Sequence, residues 1–201
     1  MNPVDVQATT AAILAGGRGE RMGGVDKGLL EVDGQRLAER VLAALRGQGI
    51  DNVLIVANRS HDEYARLAPV VADAGPAFRG PLAGIAAALA VCATPWLLSV
   101  PVDCPTLPPD LFARLATAAR SGAGAAVFVA HDGERRQPLF ALYRRTLADE
   151  AVAALAANLG VHAWQVRIGA CEVDFADMRA HFANLNTPAE LAAHAGKNHD
   201  G

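Results

Sequence analysis

A short apolar run, Ala11 to Leu14, leads directly into a stretch that is mostly bare backbone. Gly16, Gly17, Gly19, Gly23 and Gly24 fall within nine residues, with Arg18, Arg21 and, slightly later, Lys27 beside them. The apolar run reads as a buried strand. Glycines clustered at its end let the chain turn tightly and bring main-chain N–H groups close to a ligand with no Cβ in the way. Such N–H groups suit an anion, and three cations on the same loop suit a highly charged one such as a triphosphate.

Two common phosphate-binding patterns fail here. A Walker loop requires a hydroxyl residue after its lysine, whereas Lys27 is followed by Gly28. The dinucleotide fingerprint fits at Gly17 and Gly19, but Met22 stands where its third glycine belongs. A solvated surface loop would explain the glycines, but not the cations gathered among them.

Downstream, strand-like and helix-like segments alternate. Leu37, Val41, Leu42 and Leu45 recur at helical spacing, closed by Gly47 and Gly49. Asn52–Ala57 and Trp96–Val100 are near-continuous apolar runs, as expected of strands buried on both faces of a parallel sheet. Asp62–Leu67 reads as a short helix, Pro69–Ala72 as a short strand and Leu82–Val91 as a helix opening after Gly80-Pro81. Pro109–Ala119 is helical, with Asp110 in its first turn. Strands are expected over Ala125–Ala130, Leu139–Tyr143 and Cys171–Phe175. Helices are expected over Thr146–Ala157, with Thr146 as cap, and over Pro188–His194, capped by Thr187. The pattern implies an α/β fold with a mostly parallel sheet. No repeat or linker divides the chain, so one domain over residues 1–196 is expected, followed by a polar tail at 197–201.

The 201 residues are enough for one sizeable core, and 52% hydrophobic against 19% charged residues is a globular balance. A net charge of −3 supplies no global basic field, so nucleic acid is not an expected partner. Cys92, Cys104 and Cys171 are odd in number and widely spaced, which fits a reducing cytoplasm better than a disulfide framework. The first residues have no basic region ahead of an apolar run, so no secretory signal is expected. Pro81–Val102 lacks charge and is long enough to span a bilayer. Gly84, Pro95 and Pro101 interrupt it, however, and a buried helix followed by a buried strand explains it better. No membrane association is expected.

Ligands of parallel sheets sit beyond the C-terminal ends of the strands. Asp103, in Pro101-Val-Asp-Cys-Pro105, follows such an end and is the best metal ligand in the chain. A carboxylate there suits Mg²⁺ that also bridges nucleotide phosphates. Its plainer role is a turn residue bonding its own backbone. Asp73 follows another strand end, before Gly75-Pro76. The start of the helix after Gly80, with free N–H groups and its dipole, would favour a second phosphate; a plain helix start, with Gly84 small for close packing, is the alternative. His61, His162, His181 and His194 show no ligand spacing, and no nucleophile–base arrangement is evident.

The string Leu14-Ala-Gly-Gly-x-x-x-Arg21-Met-Gly-Gly-x-Asp26-Lys27-Gly-Leu29 closely resembles the signature of the molybdenum cofactor guanylyltransferases. Its Gly-Gly-x-Asp-Lys-Gly-Leu portion is particular to that branch of the nucleotidyltransferases. The resemblance extends from about residue 10 to about residue 191, through Gly80-Pro-Leu-Ala-Gly84, Pro101-x-Asp103-x-Pro105, the turn His131–Pro138 and Asn184-x-Asn186-Thr-Pro188. It implies a single-domain, Rossmann-like three-layer sandwich of the nucleotide-diphospho-sugar transferase type. It implies transfer of GMP from GTP to the terminal phosphate of molybdopterin, with Mg²⁺ as cofactor and pyrophosphate as product. Arg21, Lys27 and Asp103 are then the expected catalytic residues. Leu14, Ala15, Gly16, Gly17, Lys27, Asp73 and Asp103 would contact the nucleotide, and Asp103 the metal. Gly80, Gly84, Asn184 and Asn186 would face the acceptor, as would the 131–138 turn. Asn58-Arg59 matches a family pair, but Val56 replaces an asparagine that touches the nucleotide in some members, which leaves Asn58 a weak candidate. Transient contact with molybdopterin-handling proteins or apo-molybdoenzymes would follow. Alternatives are a cytidylyltransferase acting on the same pterin or another phosphate acceptor, and a nucleotide-binding cofactor chaperone.

Overall fold

A computed structural model describes residues 4–16, 26–73, 80–104, 106–121 and 124–183. Its strands are β1 (Thr9–Leu14), β2 (Glu31–Val32), β3 (Gln35–Arg36), β4 (Val53–Val56), β5 (Val70–Val71), β6 (Trp96–Pro101), β7 (Val127–His131), β8 (Arg136–Arg144) and β9 (Cys171–Asp174). The helices are α1 (Leu37–Gly47), α2 (His61–Ala65), α3 (Pro81–Val91), α4 (Leu111–Arg120), α5 (Ala148–Ala156) and α6 (Val161–Arg167).

Seven strands form one sheet in the order β5-β4-β1-β6-β8-β7-β9. Every neighbouring pair is parallel except the two made by β8, which runs antiparallel between β6 and β7. The apolar runs that lack alternation occupy the centre, because both faces are covered. Ala11, Ile13, Ile55, Leu98 and Val100 point to a core shared with α1 and α4. Their neighbours Ala12, Leu54, Val56 and Leu97 point to a second core shared with α3, α5 and α6. Side chains alternate across a strand, so one hydrophobic run feeds both layers. The result is the three-layer, mostly parallel α/β sandwich expected from the sequence.

The uncharged stretch divides as anticipated into α3 and β6, and no helix among the described residues is long and apolar enough to cross a membrane. Other expectations need correction. Thr146 does not cap α5; it lies in a 3₁₀ turn, Arg145–Leu147, that enters the helix without a side-chain cap. Asp110 precedes α4 and makes no cap bond, pairing instead with Arg114 at 2.7 Å. A hairpin, β2–β3, turns at Asp33-Gly34 with φ of +53° and +73°. That is the conformation an Asp-Gly pair favours in tight hairpins. Helix α6 was also not anticipated, although Val161, Trp164 and Gln165 bury one helical face. The helix expected over 188–194, its cap Thr187 and the boundary at 196 lie outside the described residues.

Candidate functional site at the carboxyl ends of the strands

Parallel strands deliver their C-terminal ends to one edge, and the chemistry-bearing residues collect there. Strand β1 continues through Ala15, whose N–H donates to Val56 O of β4 at 2.8 Å. On the other side, Val102 N donates to Leu14 O at 3.1 Å. Leu14, Ala15 and Gly16 therefore lie between the exits of β4 and β6. A Cβ on Gly16 would stand 3.5 Å from Asn58 Nδ2 and 3.8 Å from either carboxylate oxygen of Asp73.

Asn58 and Asp73 clasp each other. The Asn58 side-chain amide donates to Asp73 Oδ2 at 2.7 Å, and Asp73 N donates back to Asn58 Oδ1 at 3.0 Å. Asn58 thus holds the Asp73 carboxylate between the exits of β4 and β5. Gly84 of α3 lies beneath the same acid, since a Cβ there would come within 3.4 Å of Asp73 Oδ1 and 3.2 Å of Val56. Gly84 therefore belongs with the Asp73 group. Gly80, at φ +85°, precedes α3, and a Cβ added there would meet no described residue within 4 Å.

On the β6 side, Lys27 Nζ donates to Asp103 Oδ2 at 3.2 Å, across 76 positions of sequence. Both side chains retain some access to solvent, 23% and 19%. The end of the glycine-rich segment and the acid after β6 therefore meet on one side of the molecule. Next to Asp103, burial and then the Asp103 charge push the Cys104 thiol up to about 12. It remains protonated and donates to His181 O at 2.9 Å, a packing role.

Lys27 is held from behind by Asp26, Tyr64 and Arg59, none of which the sequence had given a role. Asp26 is buried; its Oδ1 accepts from Tyr64 Oη at 2.5 Å and from Gly28 N at 3.2 Å, and Arg59 Nε lies 3.5 Å from Oδ2. An Asp two residues before the N–H it accepts is a recognisable turn signal. Nothing in the sequence reveals that Tyr64 of α2 completes the cluster.

Beyond β6 the sheet opens. Its pairing with β8 ends at Ser99 and Ala141, and β7 shifts register against β8 between Val129 and Ala130. Ser99 Oγ donates to Leu139 O at 2.7 Å at the end of that pairing. The resulting cleft, about 260 Å³, is lined by Pro101 and residues 135–140. The 131–138 turn thus borders the same edge as Asp103. Its geometry is set by Asp132, which accepts from Arg135 N, Glu134 N and Gln137 Nε2 at 2.8, 2.9 and 2.6 Å.

Among the described residues no group of three or more His, Cys, Asp or Glu side chains gathers in one place. The described residues therefore offer a divalent cation no all-protein cage. A lone carboxylate that already attracts a cationic ammonium fits an ion shared with phosphate oxygens and water, the usual arrangement for Mg²⁺. Arg21, Gly17, Asn184 and Asn186 lie outside the described residues.

Comparison with known proteins agrees with this architecture. The model of the MobA-like NTP transferase domain family matches residues 11–169. A protein named molybdenum cofactor guanylyltransferase from Ralstonia nicotianae is 47% identical over 192 residues, covering 90% of this chain and 93% of that protein. The protein of the same name from Vibrio cholerae is 41% identical, covering 92% and 90%. The solved structure of molybdopterin-guanine dinucleotide biosynthesis protein A from Archaeoglobus fulgidus superposes with a TM-score of 0.76 at 23% identity, over 96% of this chain and all of that one. A 2-C-methyl-D-erythritol 4-phosphate cytidylyltransferase from Thermus thermophilus shares the fold at a TM-score of 0.68 and 18% identity, over 94% and 98%. With a strand-end acid paired to the glycine-loop lysine, and relatives this similar over nearly its whole length, the chain belongs to the molybdenum cofactor guanylyltransferase family of nucleotidyltransferases.

Proposed function

We propose that this protein transfers GMP from GTP to the terminal phosphate of molybdopterin. A phosphate oxygen of the acceptor attacks the α-phosphorus in line. A new P–O–P linkage forms, the α–β anhydride bond breaks, and pyrophosphate leaves with its electron pair. The observation that carries this reading is the meeting of Lys27 and Asp103 at 3.2 Å, beside the exit of β1.

In this reading the nucleotide lies over Leu14, Ala15, Gly16 and Gly17, with Asp73 oriented toward it by Asn58. Lys27 and Arg21 neutralise phosphate charge. Asp103 would hold Mg²⁺, which supplies charge neutralisation at the phosphate oxygens when bound. The acceptor is assigned to the side of the 131–138 turn, with Asn184 and Asn186, whereas Gly84, beneath Asp73, and Gly80, which opens the same helix, stand on the nucleotide side. A phosphate monoester has its second pKa near ~6 and is already ionised at neutral pH. The reaction therefore needs no strong base, and positioning with charge neutralisation suffices. The three cysteines stand as separate thiols, in keeping with a cytoplasmic enzyme that meets its pterin supplier and its recipient enzyme there.

The decisive experiment is pyrophosphate release from each of the four nucleoside triphosphates, with and without molybdopterin. Release from GTP that depends on the pterin is expected. Release favouring CTP, or GTP binding without turnover, would overturn the assignment.

A further inference from the structure

A buried carboxylate is costly unless its oxygens are filled, and Asp26 is buried at the one place where the chain leaves the glycine-rich segment. Its cage is built from elsewhere in the fold. Tyr64 comes from α2 and is wholly buried; Arg59 comes from the exit of β4. Burial, reinforced by the bond to Asp26, pushes the Tyr64 phenol up, so it stays a donor through the neutral range. A surface loop would need none of this to make the single 3₁₀ turn at Lys27–Leu29.

The fit around that turn is close. A Cβ on Gly28 would collide with Tyr64 Oη and stand 2.9 Å from Val102 Cγ2. The backbone of residues 26–28 is therefore pressed between a side chain of α2 and the residue that precedes Asp103. Lys27 springs from the middle of this wedge, and its ammonium reaches the Asp103 carboxylate. A lysine has a long flexible stem, so delivering its charge to one point depends on fixing its base.

We propose that Asp26 and Tyr64, supported by Arg59, are positioning residues for Lys27: they lock its backbone so that the ammonium is presented at the Asp103 end of the phosphate site. The catalytic consequence rests on the guanylyl-transfer reading; the geometric one does not.

Two measurements separate them. Without substrate, limited acetylation followed by peptide mass spectrometry compares Lys27 with Lys197, the chain's other lysine. Tyr64→Phe and Asp26→Ala should raise the Lys27-to-Lys197 ratio several-fold, as the amine leaves Asp103. With GTP and molybdopterin, Tyr64→Phe should lower kcat by roughly tenfold with little change in KM, as for a modest misplacement of a reacting group. Added to Lys27→Ala, it should cost nothing further, because the two act through one group. Should Asp26→Ala fail to fold, Tyr64→Phe carries the test alone. A Tyr64→Phe protein with a lower thermal midpoint but an unchanged acetylation ratio and kcat would overturn the proposal. So would a loss that persists in full beside Lys27→Ala. If the unsubstituted enzyme released no pyrophosphate from GTP, the functional reading would fail, and the acetylation ratio would still decide the clamp.

Discussion

Asp73 and Asp103 occupy equivalent places, each just past the C-terminal end of a parallel strand, yet they are held in opposite ways. Asp73 is clasped by a neutral amide that both donates to its carboxylate and accepts from its backbone. Gly84 lies close beneath it, where a Cβ would stand 3.4 Å from Oδ1. Asp103 is held by the tip of one long cationic side chain, with solvent access to both partners. The first arrangement orients an acid permanently. The second leaves an acid whose positive partner can be exchanged for another. In the proposed reaction, a site that binds a nucleotide in one orientation and exchanges a charge-neutralising ion with each turnover would use one of each.

The contrast predicts a ranking of losses. Asp103→Asn removes the exchangeable charge and should lower pyrophosphate release by about 10³-fold or more, the upper range for one preorganised transition-state group. Its thermal midpoint should change little. A titration with Mg²⁺ indistinguishable from that of the unsubstituted protein would break the comparison at its centre. Lys27→Ala should follow at roughly 10²–10³-fold, since it removes one donor to the phosphates while leaving Asp103 in place. Steady-state kinetics should place that loss mainly in kcat.

Asn58→Ala tests the other half. It deprives Asp73 of a bond to its charge and of the acceptor for its N–H, and should weaken GTP about tenfold, the worth of about one charge-assisted hydrogen bond. Calorimetric titration with GTP reads this directly. Unchanged affinity would mean that Asp73 does not depend on its clasp, and the distinction between the two acids would lose its basis.

The strand-end acids were legible because Pro69–Ala72 and Trp96–Val100 read as strands, and the residues that follow such runs surface at the sheet's edge. The lysine at the end of the glycine-rich segment was legible for a different reason, as a cation clustered with bare backbone. What the residues did not disclose was pairing across distance. That β8 inserts antiparallel between β6 and β7, with a register shift between Val129 and Ala130, leaves no local pattern in the residues. The Asn58–Asp73 clasp spans 15 positions and the Tyr64–Asp26 bond 38, so each is decided by how elements pack. The Asp33-Gly34 hairpin and the α6 face were written locally and passed over, because longer neighbours dominated the pattern.

A third acid marks the limit of the comparison and carries the smallest expected effect. Asp132 is buried in the turn between β7 and β8, and it is caged more completely than Asp73. Burial alone would raise its pKa. The N–H groups of Arg135 and Glu134 and the Gln137 amide more than offset that, holding the carboxyl below its usual range. The unfolded chain therefore binds this proton more readily than the folded one. The resulting stability is fully present above the ordinary carboxylate pKa and is lost as the pH falls through the lower, folded value. Asp132→Asn should consequently melt below the unsubstituted protein near neutrality. The gap should stay constant down to the ordinary carboxylate range and close progressively below it. Thermal midpoints across acid pH read this, and a gap that did not close would show that the charge is not what holds the turn. Because its oxygens are already filled by fixed donors, Asp132→Asn should leave the Mg²⁺ titration of pyrophosphate release unmoved, which separates an acid that shapes a loop from one that is free to exchange its partner.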